Sequence, residues 1–146
     1  MENKSRHIYS IIIGCGRLGS GLAGKLSEEG KDVMVIDSDK TSFRKLPASY
    51  GGLTMVANAT DIDKLNQAEI HKADTVIAVT DNDNANICAA QIAKKMFGVE
   101  RVIARIYDDE KNILLTPYEI DSICPAALSE KEVAAFMTDG RKGHET

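Results

Sequence analysis

Apolar and polar positions follow each other along this chain in a pattern that predicts short strands separated by helices. The strand candidates are nearly continuous apolar runs, as expected for parallel strands covered on both faces. They lie at residues 8–13, 33–36, 53–57, 75–79, 101–107 and 122–124. Six strands with crossover helices predict an α/β fold, a Rossmann-like doubly wound parallel six-stranded sheet with flanking helices in a single domain.

Apolar residues at helical spacing predict the intervening helices. The first runs to about residue 29, and the others lie at 41–46, 63–68, 84–97, 110–115 and 126–137. In the helix 84–97, two rows of apolar side chains are predicted to form the buried face, namely Cys88, Ile92, Met96 and Ala89, Ala93, Phe97.

The last predicted helix, 126–137, carries apolar residues around a charged centre. Two interpretations stay open for it: it packs back onto its own sheet, or it docks against a second subunit. The residues after it are polar, and the chain contains no repeat, low-complexity segment or linker. We therefore expect one domain over residues 1–137, including this C-terminal helix, and a polar tail over 138–146.

Composition and charge narrow the classes of function. At 146 residues and 43% hydrophobic content, the chain can bury an ordinary core. Its net charge of -4, with no stripe of lysine and arginine, argues against a nucleic-acid partner. The N-terminal residues 1–6 are polar, and the apolar run after them is too short to cross a bilayer. We expect a cytoplasmic protein without direct membrane insertion.

The cysteines and histidines predict neither a disulfide, a metal site nor a catalytic centre. The three cysteines are widely spaced without a C-x-x-C pair, which fits a reducing compartment and no structural zinc. None of the three histidines falls at the carboxyl end of a predicted strand, so all are expected on the surface; they are His7, His71 and His144. Cys15 precedes a predicted helix, a position that lowers a thiol pKa, but a phosphate-binding loop already explains it.

The strongest motif is a glycine-rich turn that joins the first predicted strand to the first helix. Gly14 permits the tight turn, Gly16 keeps side-chain atoms away from a pyrophosphate, and Gly19 lets the helix pack close to the sheet. The helix N-terminus then faces the phosphates. Asp37 ends the second strand, where it can accept hydrogen bonds from ribose hydroxyls and would repel a 2′-phosphate. These residues predict a site for an NAD-like ligand or an adenosine nucleotide.

Several local motifs together resemble the Trk/Ktr-type regulatory nucleotide-binding domain, also called the RCK or KTN domain. The resemblance covers residues from about 9 to 133, and its motifs lie at 13–19, 35–39, 57–61, 73–80 and 102–105. It implies a cytoplasmic regulator that binds NAD(H) or an adenine nucleotide (ATP, ADP or AMP). It further implies that the protein gates a membrane potassium transporter or channel, lies at the inner face of the membrane through that partner, and forms a homo-oligomer, either a dimer or a larger ring.

The resemblance also implies a cofactor-binding site along the carboxyl ends of the first four strands. Its phosphate contacts are Gly14, Cys15, Gly16, Arg17 and Leu18, with Gly19 completing the motif. The adenosine ribose falls to Asp37 and Ser38, the adenine side to Asn58, Ala59 and Thr60, and the far end of the crevice to Val79 and Thr80. These positions agree with the place where open α/β sheets bind ligands.

Three charged or polar features have more than one interpretation. Arg17 either neutralises a terminal phosphate or is a solvated arginine at the helix start. Arg105 lies on a predicted strand and needs a partner, which we expect to be a ligand phosphate, a carboxylate such as Asp81 or Asp83, or another subunit. The polar run 81–84 is better explained as a helix N-cap than as a cation site.

The chain also departs from the family pattern. Members often have Asp where this chain has Asn58, and they frequently carry a second, C-terminal sensing domain that 146 residues are not expected to hold. An alternative function is an NAD-dependent oxidoreductase-type domain that lacks its catalytic partner. A third is an oligomerisation module with an empty site. A sensor needs no catalytic group, only two states that differ in their contacts with the ligand, and we expect this protein not to be an enzyme.

Overall fold

The computed structural model describes residues 8–139, which contain one six-stranded sheet with helices on both faces. Every strand pair is parallel, and the strand order is β3-β2-β1-β4-β5-β6. The strands are β1 (Tyr9–Ile13), β2 (Asp32–Asp37), β3 (Leu53–Val56), β4 (Thr75–Ala78), β5 (Arg101–Arg105) and β6 (Asp121–Ile123). This arrangement confirms the predicted doubly wound fold, and its direction of winding reverses between β1 and β4.

Four α-helices and several shorter helical segments connect the strands. The α-helices are α1 (Arg17–Glu28), α2 (Ile62–Gln67), α3 (Asp83–Gln91) and α4 (Pro125–Asp139). A π-helical turn, Ile92–Met96, continues α3, and 3₁₀ helices span Lys40–Lys45, Ile70–Lys72, Asp109–Leu114 and Thr116–Tyr118. Each predicted helix or strand corresponds to one of these elements, although β5 ends two residues earlier than predicted.

The sheet separates two apolar cores, as the alternation of side chains along a strand requires. Ile11 and Ile13 of β1 belong to the larger core with residues of α2 and α3. Ile12 points into the smaller core, where it meets Ala23 of α1. All three isoleucines are fully buried or nearly so, which explains why β1 has no polar alternation in its centre.

The buried face predicted for the helix 84–97, which corresponds to α3 and its π-helical continuation, is partly wrong. Ala89 and Ala93 are buried as expected, but Cys88 and Met96 are exposed. The buried face passes through Asn86 instead, and the polar character of that residue hid the true face from the hydrophobic pattern. Met96 is also the last residue of the π-helical turn, which shifts side chains out of regular α-helical spacing.

Helix α4 leaves its apolar side chains exposed. Leu128, Val133, Phe136 and Met137 are all more than two-fifths exposed. The interpretation that this helix packs back onto its own sheet is therefore wrong, because such packing would bury one face. The helix ends at Asp139 and so includes the first residues of the predicted tail, while residues 140–146 lie outside the described part of the chain.

No helix within residues 8–139 is both long enough and apolar enough to cross a bilayer.

Two glycines permit the close packing of the turn after β1. Gly14 adopts a φ of +110°, and a Cβ there would lie 2.7 Å from the Val79 carbonyl oxygen. A Cβ on Gly19 would collide with the Gly14 carbonyl oxygen. These constraints come from the protein itself, so both glycines are needed to build the turn before any ligand is considered.

We predict that Gly19→Ala destabilises the protein by about 2 kcal/mol or more, because the backbone of the turn must move to admit a methyl group. The matched control is Gly21→Ala in the same helix, where a Cβ would have no heavy atom within 4 Å. Helix propensity predicts that the control is neutral or stabilising by up to about 1 kcal/mol. Urea unfolding of both variants tests this, and equal stabilities would contradict the packing argument.

Candidate ligand-binding site

A pocket of about 400 Å³ lies at the carboxyl ends of β1 to β4, where the winding of the sheet reverses. Open α/β sheets bind ligands at this kind of switch point. The predicted site residues that line the pocket are Gly14, Cys15, Gly16, Asp37, Ser38, Asn58, Ala59, Val79 and Thr80. The sequence therefore located the pocket and most of its wall.

Other predicted site residues lie beside or behind the pocket, and they are Arg17, Leu18, Gly19, Thr60 and Arg105. Arg17 and Leu18 are exposed in the first turn of α1. Thr60 instead acts on its neighbour, because its amide and its hydroxyl both donate to Asn58 Oδ1, at 3.0 and 2.9 Å. These hydrogen bonds fix the Asn58 side chain at the pocket rim.

The pocket also contains residues that sequence reasoning missed. They are Asp39, Ser42, Lys45, Asp81, Asn82 and Ala85, together with core residues at the strand ends. Asp39 accepts hydrogen bonds from the amide and hydroxyl of Thr41 and caps the 3₁₀ helix Lys40–Lys45. This short helix begins soon after Asp37 in the sequence. That closeness could have indicated that its side chains would reach the pocket.

Asp37 connects the glycine-rich turn to the end of β2. Its Oδ2 accepts from the Cys15 amide at 2.7 Å, and its Oδ1 accepts from the Asp39 amide at 2.8 Å. Each carboxylate oxygen retains a further lone pair for a ligand hydroxyl. The Cys15 amide is thus engaged by Asp37. The amides of Arg17, Leu18 and Gly19 have no acceptor within α1, whose first intrahelical bond runs from the Ser20 amide to the Gly16 carbonyl.

The Cys15 thiol is a core side chain. It is fully buried and packs in the smaller core with Ile12, Val35 and Val79. Burial raises the pKa of the thiol, the Asp37 charge raises it further, and the Lys45 charge partly opposes both effects. A thiol with a raised pKa is a weak nucleophile near neutral pH, so the geometry supports a packing role.

Asn86 anchors the far wall of the pocket. Its side chain is completely buried, and its Oδ1 accepts from the Thr80 amide at 2.8 Å and from the Thr80 hydroxyl at 2.6 Å. Its Nδ2 donates to the Thr80 carbonyl at 3.0 Å and to the Arg105 carbonyl at 2.8 Å. One side chain of α3 therefore ties the ends of β4 and β5 together.

Arg105 reinforces the same wall from behind. Its Nη2 donates to the carbonyls of Val79 and Thr80, at 2.9 and 3.1 Å, and lies 3.9 Å from Asp81 Oδ1. The side chain is only 12% exposed, and its Nε has no hydrogen-bond partner among the described residues. Of the partners expected from the sequence, Asp81 is the carboxylate nearest to Arg105, and two backbone carbonyls make the direct contacts.

The polar run 81–84 forms a helix start, as predicted. Asn82 caps α3 by accepting from the Ala85 amide at 2.9 Å. Asp83 accepts from the amides of Tyr107 and Asp108, at 2.9 and 3.0 Å, and its cationic neighbour is Lys111, whose Nζ lies 3.9 Å from Oδ2. In the part of the chain that the structure describes, no group of three or more His, Cys, Asp or Glu side chains could hold a metal ion.

Comparison with known proteins identifies the class of this chain. The TrkA-N domain model matches residues 10–125, and the chain belongs to the TrkA-N domain family. It is similar to the Trk system potassium uptake protein TrkA of Streptomyces coelicolor, with 48% identity over 104 residues, 71% of this chain and 47% of that protein. The TrkA homolog of Pyrococcus abyssi is 34% identical over 88% of this chain and 57% of its own length. The chain thus spans about half the length of these curated relatives.

Solved structures share the fold. A GsuK channel bound to NAD has a TM-score of 0.76 at 22% identity and covers 93% of this chain and 24% of its own. GsuK bound to ADP gives 0.73 at 23% identity, over 88% and 33%. The Kef C-terminal domain of Shewanella denitrificans in an AMP-bound form gives 0.68 at 18% identity, over 92% and 83%.

We predict that Asn86→Ala destabilises the protein by about 2–4 kcal/mol, because it leaves the Thr80 amide and the Arg105 carbonyl buried without their partner. The matched control is Asn84→Ala, which removes an exposed amide of the same helix. The control should change stability by less than about 0.5 kcal/mol. Chemical unfolding measures both, and a small loss for Asn86→Ala would contradict the anchoring role.

Proposed function

We propose that this chain is a regulatory subunit that binds NAD(H) or an adenine nucleotide and thereby gates a membrane potassium transporter or channel. The observation that supports nucleotide binding is the pocket where the glycine-rich turn, Asp37 and the end of β4 meet. The proposal of a potassium transporter as partner rests on family membership and on relatives named as Trk potassium uptake proteins.

The geometry supports a nucleotide with its phosphates at the start of α1. A Cβ on Gly16 would have no heavy atom within 4 Å, so the space above this turn is open to a ligand. The amides and the dipole of the helix N-terminus favour anions there. Asp37 lines the same pocket and keeps lone pairs for ribose hydroxyls. Solved neighbours bound to NAD, ADP and AMP support an adenosine ligand without choosing among these.

The proposed roles of the individual residues follow this orientation. Gly14, Cys15, Gly16, Arg17, Leu18 and Gly19 form the phosphate-binding turn, Asp37 and Ser38 take the ribose, Asn58, Ala59 and Thr60 take the adenine side, and Val79, Thr80 and Arg105 form the far wall. Within this set, three residues act by supporting neighbours. Gly19 lets α1 pack against the turn, Thr60 holds the Asn58 side chain, and Arg105 donates to the carbonyls of Val79 and Thr80.

A regulator must pass its ligand state to another subunit, and α4 offers a surface for this. Its apolar side chains are exposed, and burial against a second copy would remove them from water. We therefore propose a homo-oligomer, a dimer or a larger ring. We place it in the cytoplasm, at the inner face of the membrane through its transporter partner.

We favour regulation over catalysis. The thiol in the glycine-rich turn is buried and has a raised pKa. His71 lies in the 3₁₀ helix before β4, at the amino ends of the strands, whereas the pocket lies at their carboxyl ends; His7 and His144 lie outside the described residues. An oxidoreductase would need a positioned acid or base beside the nicotinamide. The names of the relatives point to transport instead.

Calorimetric titration with NADH, NAD⁺, ATP, ADP and AMP tests the nucleotide claim. We expect at least one of these ligands to bind, and we expect Asp37→Ala to weaken it by about tenfold to a hundredfold through loss of charge-assisted hydrogen bonds. Asp121→Ala, which removes an exposed carboxylate at the start of the edge strand β6, is the matched control and should bind normally. If none of the five nucleotides binds the intact chain, the proposed function is wrong.

A further inference from the structure

The edge of the sheet formed by β3 lies beside a groove at the amino ends of β1 to β3. We propose that this edge and groove together bind an extended, uncharged segment of a partner protein, which pairs with β3 as an added strand and places a bulky apolar side chain in the groove. The inference goes beyond the proposed function and does not depend on the nucleotide, which binds at the opposite ends of the strands.

The outer edge of β3 presents backbone groups that can pair with another strand. In the part of the chain that the structure describes, β2 is the one strand that pairs with β3. The Ala57 amide donates to the Asp37 carbonyl at the end of β2, at 3.1 Å. Because successive residues of a strand turn their backbone groups to opposite sides, Met55 also faces β2, whereas Thr54 and Val56 direct their amides and carbonyls outward. These outward groups match the backbone of an added strand.

The edge carries none of the charges that usually keep edge strands apart. The sequence from Leu46 to Thr60 contains no lysine, arginine, aspartate or glutamate. Leu53 is 64% exposed and Val56 is 46% exposed, so apolar side chains project on both faces of the strand. The opposite edge strand, β6, begins with Asp121. Of the two edges, β3 is therefore the one suited to an apolar partner.

A groove of about 670 Å³ runs between Leu53 and the end of α2. Tyr9, Met34 and Leu53 contribute apolar surface to it. The Tyr9 hydroxyl donates to the Ala68 carbonyl, which joins β1 to the residue after α2 and holds the ring in place. Leu53 is paired with Met34 in the parallel register and so projects on the same side of the sheet. The groove can therefore accept a side chain of a segment that pairs with β3.

The rim of the groove is balanced in charge. Two lysines and two acidic residues line it, namely Lys31, Lys72, Asp32 and Glu69. Lys72 Nζ lies 3.4 Å from Glu69, and Lys31 Nζ lies 2.9 Å from Glu29, which is outside the lining. A charged side chain would find no excess of opposite charge here, so the groove favours an apolar one.

A second copy of this chain fits the edge less well. Antiparallel pairing of the whole strand would set Thr54 opposite Val56 and Leu53 opposite Ala57 of the second copy. The methyl group of an alanine would leave most of the groove unfilled. A strand of four residues is also too short to supply by itself the roughly 1,200 Å² that a stable interface buries. The edge is therefore assigned to a segment of a different protein.

The test is amide hydrogen exchange of the intact chain, followed by NMR, with a synthetic probe peptide. The probe alternates threonine and valine around a central leucine and has blocked ends, so it favours an extended conformation and carries no charge. We expect it to slow exchange at the Thr54 and Val56 amides by about threefold or more, while the Ala57 amide, already bonded to β2, changes little. Absence of this alternating protection at high peptide concentration would overturn the proposal.

A matched peptide with alanine in place of the central leucine tests the groove. We expect it to bind about tenfold more weakly, because it buries less apolar surface. In Leu53→Ala the two peptides should bind more nearly alike, whereas the control Ile113→Ala, which trims an exposed side chain of the 3₁₀ helix Asp109–Leu114, should retain the difference. Equal binding of both peptides to the parent chain would overturn the role of the groove.

Val56→Pro tests the edge itself. It removes an outward amide that does not bond to β2, so we expect urea unfolding close to that of the parent and probe binding weaker by about tenfold. If the proline variant unfolds, Val56→Lys keeps the backbone amide and places a charge on the edge, which should also weaken binding. Binding of the probe to a folded variant as tight as to the parent would overturn strand pairing.

The same exchange measurement distinguishes a partner protein from a second copy. In the chain without peptide, we expect exchange at Thr54 and Val56 to stay independent of protein concentration. Protection of these amides that rises with the concentration of the chain alone would show that a second copy occupies the edge, and would overturn the assignment to a partner protein.

Discussion

The close contact between the glycine-rich turn and the ends of its two neighbouring strands is the constraint on which the site depends. The Gly14 amide donates to the Ile36 carbonyl at 2.7 Å, and the Val79 amide donates to the Ile13 carbonyl at 2.8 Å. Gly14 also faces the Val79 carbonyl where a side chain would not fit. The turn is therefore held from β2 on one side and from β4 on the other, and the space that remains above it is the pocket.

Two polar side chains extend this constraint to the rest of the pocket wall. Asp37 fixes the turn to the end of β2, and Asn86 fixes the end of β4 to that of β5. Both are hydrogen-bonded to backbone groups, so they determine the position of the chain as well as the chemistry of the site. The wall that results is predominantly acidic, since Asp37, Asp39 and Asp81 line the pocket.

Much of the fold could be predicted because parallel strands buried on both faces leave a direct signal in the sequence. The isoleucines of β1 and the glycines after it made both the sheet and the position of the pocket predictable. Asn86 could not be predicted, because it is a polar residue at a buried helical position and its partners lie six and nineteen residues away. Cys88 was wrongly assigned to the buried face of the same helix, because an apolar residue was preferred there over the polar Asn86.

The remaining differences arise where the sequence pattern does not define an environment. The apolar positions of α4 predicted burial without saying against which surface, and within the described chain they stay exposed. Lys45 is one of many lysines in the sequence, and only the fold of the short helix after β2 places it in the pocket. Motifs therefore located the pocket, whereas the charged residues that line it could be found only from the three-dimensional structure.

The most direct test of the central claim is amide chemical-shift mapping by NMR during titration with NADH. The account predicts that the largest shifts occur at Gly16, Asp37, Asn58 and Thr80, which surround the pocket at the carboxyl ends of the strands. The account predicts little change at Glu69, which lies at the amino ends of the strands. Shifts concentrated at the amino ends, or no shifts at all, would contradict the account.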